Sequence, residues 1–135
     1  CERICKQGAI KFPGDDERFM RSLAEAAKAV LNTFSKNKVL FFNFLTEIQP
    51  ECDCMPTADV PVIQDIGILM SKDIVAIEQA SIDLLKKEMP LPSSQAEKLK
   101  GDILKEIHNK PYELQIEEAE RIGLGSKNYK LITIE

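Results

Sequence analysis

The segment Lys38–Leu45 reads Lys-Val-Leu-Phe-Phe-Asn-Phe-Leu, and it constrains the fold more than any other part of this chain. Its residues favour extended backbone. Side chains along a strand alternate between the two faces of a sheet, so a half-exposed strand alternates apolar with polar. This one is apolar on both faces, which is the pattern of an interior strand covered from both sides. A second apolar run, Val62–Met70, reads as another strand, interrupted by Asp65 and Gly67. Between the two, residues 46–61 carry Pro50, Pro56 and Pro61 and cannot hold a regular element.

Helical patterns flank these strands. Phe19, Met20, Leu23, Ala26, Ala27, Val30, Leu31 and Phe34 recur at helical spacing, which predicts a helix over 15–35 with those side chains in the core. Asp15 and Asp16 suit its start and Lys36-Asn37 its end. Ser71-Lys72-Asp73 opens a second helix that stops before Pro90. Ser94 and Glu97 have capping-box spacing and predict a third helix carrying Leu99, Ile103, Leu104 and Ile107. Pro111 suits the first turn of a fourth, with Gly123 as its C-terminal cap. Tyr129–Ile134 alternates as a final strand. The predicted fold class is α/β, a small layered domain of about three to four strands with four helices; an α+β arrangement is the alternative. Residues 15–135 form the single domain, and residues 1–14 form a preceding loop.

A net charge of -4, with lysines scattered among acids and no Trp, argues against a nucleic-acid surface. No apolar run reaches the length of a membrane span, and no basic-then-apolar signal segment opens the chain. The expected setting is therefore cytoplasmic and reducing. The four cysteines occur as Cys1-x-x-x-Cys5 and Cys52-Asp53-Cys54. Neither spacing is that of a small secreted disulfide scaffold. Close thiols in a reducing setting read as metal ligands or redox groups.

Cys1-Glu-Arg-Ile-Cys5 followed by Gly8-Ala9-Ile10 matches the end of a bacterial ferredoxin loop, in which tightly spaced thiolates converge on one cluster. Cys1 and Cys5 stand at its third and fourth cysteine positions, and Lys6 stands where that run has Pro. The chain starts abruptly at Cys1, so this reading makes residues 1–14 the remnant of a loop whose first two cysteines lie upstream. The second candidate is the Pro-stiffened loop after the first strand, where Cys52, Asp53, Cys54 and Asp65 gather thiols and carboxylates suited to a soft metal or a substrate. The alternative is a structural loop whose acids cap turns. His108, the only histidine, suits the end of a helix, where a partly protonated ring complements the dipole. With one His and no G-x-S-x-G there is no nucleophile–base set. Gly123-Leu124-Gly125 lacks the strand-before, helix-after context of a phosphate loop.

Glu51-Cys-Asp-Cys54, Asp59-x-Pro61, Asp65-Ile-Gly67 and Asp73-x-Val75-Ala76-Ile77-x-Gln79-Ala80 together resemble the family called domain of unknown function 362. Ala119-Glu120, Gly123-Leu-Gly125 and Tyr129 are similar to that family's closing segment. The resemblance is to the C-terminal part of the family, and members often carry a ferredoxin-type insert just ahead of this region. It implies an iron–sulphur cluster in the full-length protein, with electron transfer or redox chemistry, and names no reaction. It implies Cys1 and Cys5 as cluster ligands, and Cys52, Asp53, Cys54 and Asp65 as a metal site. The implied partners are the missing upstream part of the same protein and a redox partner. Two alternatives stay open: an enzyme domain with its site at the Cys52–Asp65 loop, and a non-catalytic scaffold that would expose a large apolar patch when isolated.

Overall fold

The computed structural model describes residues 6–9, 14–52 and 55–134. Its elements run α1 (Asp16–Leu31), β1 (Phe41–Leu45), β2 (Gly67–Ser71), α2 (Ile74–Leu85), α3 (Ile103–His108) and α4 (Glu113–Arg121). The mixed α/β class and the four helices are those the sequence predicts. The sheet among the described residues has two strands rather than three or four.

β1 and β2 pair antiparallel, with Phe42 opposite Met70, Asn43 opposite Leu69 and Phe44 opposite Ile68. One face of this ribbon packs on α2. Asn43 points into that contact and donates from Nδ2 to Ser81 Oγ at 2.9 Å and to Glu78 Oε1 at 3.1 Å. The other face is uncovered: Phe42, Phe44, Ile68 and Met70 are 51%, 63%, 60% and 63% exposed. An interior-strand sequence thus lies in a sheet with one bare side.

The segment 129–134 runs on without ladder pairing. Tyr129 is tied by its hydroxyl to Asp83 Oδ2 at 2.9 Å. Tyr129, Lys130 and Leu131 line a small cavity over α2 together with Leu69, Met70 and Ser71 of β2. The alternation that predicts a strand is present, but no neighbouring strand bonds to it among the described residues.

α1 starts where Asp15 accepts from Arg18 N–H at 2.9 Å. It packs on α4 and on no other element described. That contact buries Ala24, while Phe19, Leu23, Ala26, Val30 and Phe34, five of the eight residues of the predicted apolar stripe, are exposed. Glu118 of α4 is buried in the same contact and satisfied by Arg21 Nη1 at 3.2 Å, by Arg121 Nε at 2.8 Å and by Arg121 Nη2. The guanidinium of Arg121 above all, helped by Arg21, holds the Glu118 carboxyl below its ordinary value. A buried charge survives only with such partners.

The tight core sits elsewhere. Val62, Ile63, Ala96 and Ile103 form one buried cluster, walled by Ile48, Leu85, Leu99 and Ile107. Burial of each large member contributes about 1.5–3 kcal/mol. Three of the four, Val62, Ile63 and Ala96, fall in the strand predicted over 62–70 and the helix predicted from Ser94, yet lie outside the helices and strands that form. Val62 N–H donates to Ile48 carbonyl at 2.8 Å and Leu91 N–H to Val62 carbonyl at 2.8 Å, so bonded loop segments bring this core together with α3 and the end of α2.

The predicted helix at Ser94 begins eight residues later. Ser94 Oγ donates to Leu91 carbonyl at 2.7 Å and accepts from Ala96 N–H at 3.2 Å, which closes a turn rather than a helix. Gly101, at φ 78°, then reverses the chain, and Asp102 caps α3 by accepting from Lys105 N–H at 3.1 Å. α4 ends as the sequence predicts. Gly123 takes φ 79°, its N–H donates to Glu120 carbonyl and Leu124 N–H to Ala119 carbonyl, both at 2.9 Å, which is a Schellman cap.

Candidate functional site

The loop after β1 is held at several points. Pro50 is buried, and its carbonyl oxygen lies 2.5 Å from His108 Nε2. A carbonyl only accepts, so Nε2 carries the proton and donates. His108, expected at a helix end, is the last residue of α3 and spends one ring nitrogen pinning this loop. Further on, Cys52 carbonyl accepts from Met55 N–H at 2.8 Å. Cys52 itself is exposed. Asp65, just before β2, accepts from Glu47 N–H through Oδ1 at 2.8 Å. Glu47 takes φ 52°, a left-handed turn that this carboxylate bond braces. The loop therefore leaves β1 and returns to β2 with both ends fixed.

Of the residues singled out in the sequence, Cys52 and Asp65 lie in this described loop, Asp65 as a brace and Cys52 as an exposed thiol. Cys1, Cys5, Asp53 and Cys54 lie outside the described residues. No group of three or more His, Cys, Asp or Glu side chains with metal-holding geometry occurs among the described residues.

A second constellation joins segments that are far apart in sequence. Asp73 caps α2, with Oδ1 accepting from Val75 N–H at 2.8 Å and Ala76 N–H at 3.0 Å. Its other oxygen accepts from Ser126 N–H at 3.0 Å. Gly125 lies so close that a Cβ there would sit 1.9 Å from Asp73 Oδ1. Glu120 Oε1 holds the same turn by accepting from Lys127 N–H at 2.7 Å. Asp73, Glu120 and Gly125 stand in the motifs quoted above, and the fold unites them in a joint between α2 and the end of α4.

Two further clusters were not legible in the sequence. Glu78 and Gln115 line both a cavity of about 270 Å³ between α1, α2 and α4 and a neighbouring one of about 210 Å³. The first is walled mainly by apolar side chains such as Leu23, Val75, Ile116 and Leu124. At the far end of the second, Tyr112 donates its hydroxyl proton to Asp102, with Lys86 Nζ 5.5 Å above the ring. Lys86 also meets Asp102 at 3.3 Å. Burial acts to raise the Asp102 carboxyl, but hydrogen bonds from Tyr112, the Lys105 N–H and Lys86 outweigh it and hold the group below its usual range. Burial, with the Asp102 bond, pushes the Tyr112 phenol far above its ordinary value. Tyr112 therefore stays protonated at neutral pH and acts as a donor. These residues come from three separate segments, and no local spacing signals them.

No helix among the described residues is long and apolar enough to cross a membrane. No curated protein and no solved structure matches the chain. One family does, over residues 3–83, a stretch that includes α1, both strands, the Cys52 loop and the Asp73 cap and stops short of the Glu120–Gly125 turn. With more than half of its length matched, the chain belongs to the family described as Domain of unknown function (DUF362).

Proposed function

We propose that the chain is the thiol-bearing part of an iron–sulphur-associated redox protein. Cys1 and Cys5 supply two thiolates of a cluster loop, completed by cysteines upstream, and Cys52 and Cys54 offer a second pair of thiols. The observation that carries this reading is the setting of Cys52. It is exposed, its carbonyl bonded by Met55 N–H, on a loop pinned through Pro50 to His108 and through Asp65 to Glu47. Soft metal centres call for thiolates already held in place at an accessible point, because ordering them on binding costs affinity. The C-x3-C run with Gly8-Ala9-Ile10 supports the same reading from sequence.

The test is anaerobic reconstitution with ferrous iron and sulphide, on this chain and on a version extended upstream through the complete cysteine run. The expected result is bound iron, sulphide and broad visible absorption in the extended form, lost on Cys1→Ser and Cys5→Ser. An extended form that stays colourless overturns the proposal. Stoichiometric metal in the short chain, lost on Cys52→Ser, moves the site to the second pair.

A second reading has its own observation. The bare face formed by Phe42, Phe44, Ile68 and Met70 is the apolar patch expected of a scaffold that packs against another part of its protein. Coexpression with such a part would protect this face from hydrogen exchange and solvent probes. An unchanged exchange pattern would remove the scaffold reading.

A further inference from the structure

The cavity of about 270 Å³ between α1, α2 and α4 has a wall built entirely from described residues. Three ties hold that wall in shape. Arg21 Nη1 of α1 meets buried Glu118 of α4 at 3.2 Å, and Lys28 Nζ donates to Ile122 carbonyl at 2.6 Å. Asp73 at the start of α2 accepts from Ser126 N–H, beyond α4, at 3.0 Å. Ala24, Ala27 and Ala119 line the space, which larger side chains at those positions would fill.

The wall is aliphatic except for Glu78 and Gln115, which also line the neighbouring cavity of about 210 Å³. No Lys or Arg lines the larger one. Glu78 Oε1 accepts from Asn43 Nδ2 at 3.1 Å. Its second oxygen and the Gln115 side-chain amide make no hydrogen bond among the described residues. A mostly apolar pocket with a few convergent polar groups is the usual form of a small-molecule site.

We propose that this cavity binds a small apolar amine, its body among Leu23, Val75, Ile116 and Leu124 and its ammonium group on Glu78 and Gln115. An ammonium carries three N–H donors and no acceptor, so it matches the free carboxyl oxygen of Glu78 and the side-chain carbonyl of Gln115. The acid also selects the charge: a cationic head is attracted and a carboxylate head repelled. An apolar cavity of about 150 Å³ takes a benzene ring, so this one accommodates a body of roughly eight to ten carbons. Asn43 is a positioning residue here. Its amide also donates to Ser81 Oγ at 2.9 Å, and that hydroxyl donates to Ile77 carbonyl at 2.8 Å, so the group that orients Glu78 is itself held. This inference is independent of the cluster reading, because none of its residues carries a thiol.

Heteronuclear NMR titration of the 135-residue chain with octylamine, 1-octanol and octanoate tests it. The three probes share an alkyl chain and differ in the head group. The expected result is saturable octylamine binding with shifts centred on Ala27, Val75, Ile116 and Leu124, octanoate at least tenfold weaker, and octanol between them. Glu78→Gln should retain octanol binding and erase the preference for the amine, since it removes the charge and keeps an acceptor for Asn43. Ala27→Leu, which fills the cavity, should weaken all three at least tenfold. Shifts centred on Phe42, Phe44, Ile68 and Met70 would mean adsorption to the bare sheet face and would overturn the proposal. So would the absence of saturable binding, octanoate binding as tightly as octylamine, an amine preference that survives Glu78→Gln, or unchanged binding in a folded Ala27→Leu variant. Were Ala27→Leu to unfold the chain, the shift map and Glu78→Gln would still decide.

Discussion

Gly125→Ala is expected to act through Asp73, 52 positions away in sequence, and its cost can be worked from the contacts. A methyl carbon at position 125 would lie 1.9 Å from Asp73 Oδ1 and 2.5 Å from its Cγ. Either the 123–127 turn moves off or the carboxylate rotates, and both break bonds. Rotation forfeits the α2 cap from Val75 and Ala76 N–H, and displacement forfeits the Ser126 N–H bond. Loss of an N-cap costs about 1 kcal/mol. Loss of a hydrogen bond to a charged group costs about 1.5–3 kcal/mol. The expected destabilisation is therefore about 1–3 kcal/mol, set by which of the two groups of bonds gives way. In urea, with a slope of about 1.5 kcal/mol/M for a domain of this size, the midpoint should fall by roughly 0.7–2 M. Asp73→Ala should cost a similar amount. The decisive measurement is the double variant. With the carboxylate already gone, the methyl group at 125 has nothing to strike, so the pair should cost little more than either change alone, a coupling of about 1–3 kcal/mol. Additive costs would refute the claim that Gly125 is required by the capping carboxylate.

Three further outcomes follow from the same structure. Glu118 has its folded-state pKa depressed below 4.5, first by its Arg121 hydrogen bond, so its contribution to stability is present above that value and lost as pH falls through the folded pKa; Glu118→Gln should flatten the acid limb of a stability-against-pH curve, and an unchanged limb would contradict the assignment. Asn43→Ala removes the donor to both Glu78 and Ser81 and should lower stability by about 1–2 kcal/mol in urea unfolding, with no loss expected only if water replaces the amide. Phe42→Lys with Phe44→Lys should reduce binding of an apolar fluorescent dye while changing unfolding free energy by less than about 1 kcal/mol, since both rings are more than half exposed; a collapse of the fold would show that the bare face is covered within the chain.

Some of this was legible locally. The capping motifs read correctly wherever the cap is decided by adjacent residues: Asp15, Asp73 and Gly123 do what their sequence positions imply. Ser94 has the same signature and caps nothing, because its hydroxyl closes a turn onto Leu91 and Gly101 reverses the chain before a helix can start. At the candidate site, the sequence marked Cys52 and Asp65 through spacing and clustering. That Asp65 braces Glu47, and that His108 holds Pro50, depends on segments 18 and 58 residues apart meeting in space.

By itself the sequence determined the number and order of the helices, the mixed class, and the two-faced apolar character of Lys38–Leu45, since periodicity and capping are properties of neighbours along the chain. Only the tertiary structure decided which apolar faces are covered. Phe19, Leu23 and Val30 carry a core pattern yet remain exposed, and Val62 and Ile63, in a loop, are buried against Ile103 of α3 and neighbours such as Leu85 of α2. Burial requires another surface to meet, and that surface lies far away in sequence or outside the chain. Glu118 makes the same point for charge. Nothing near it announces a buried carboxylate, and its burial is tolerated because α1 delivers Arg21 to the site where α4 already supplies Arg121.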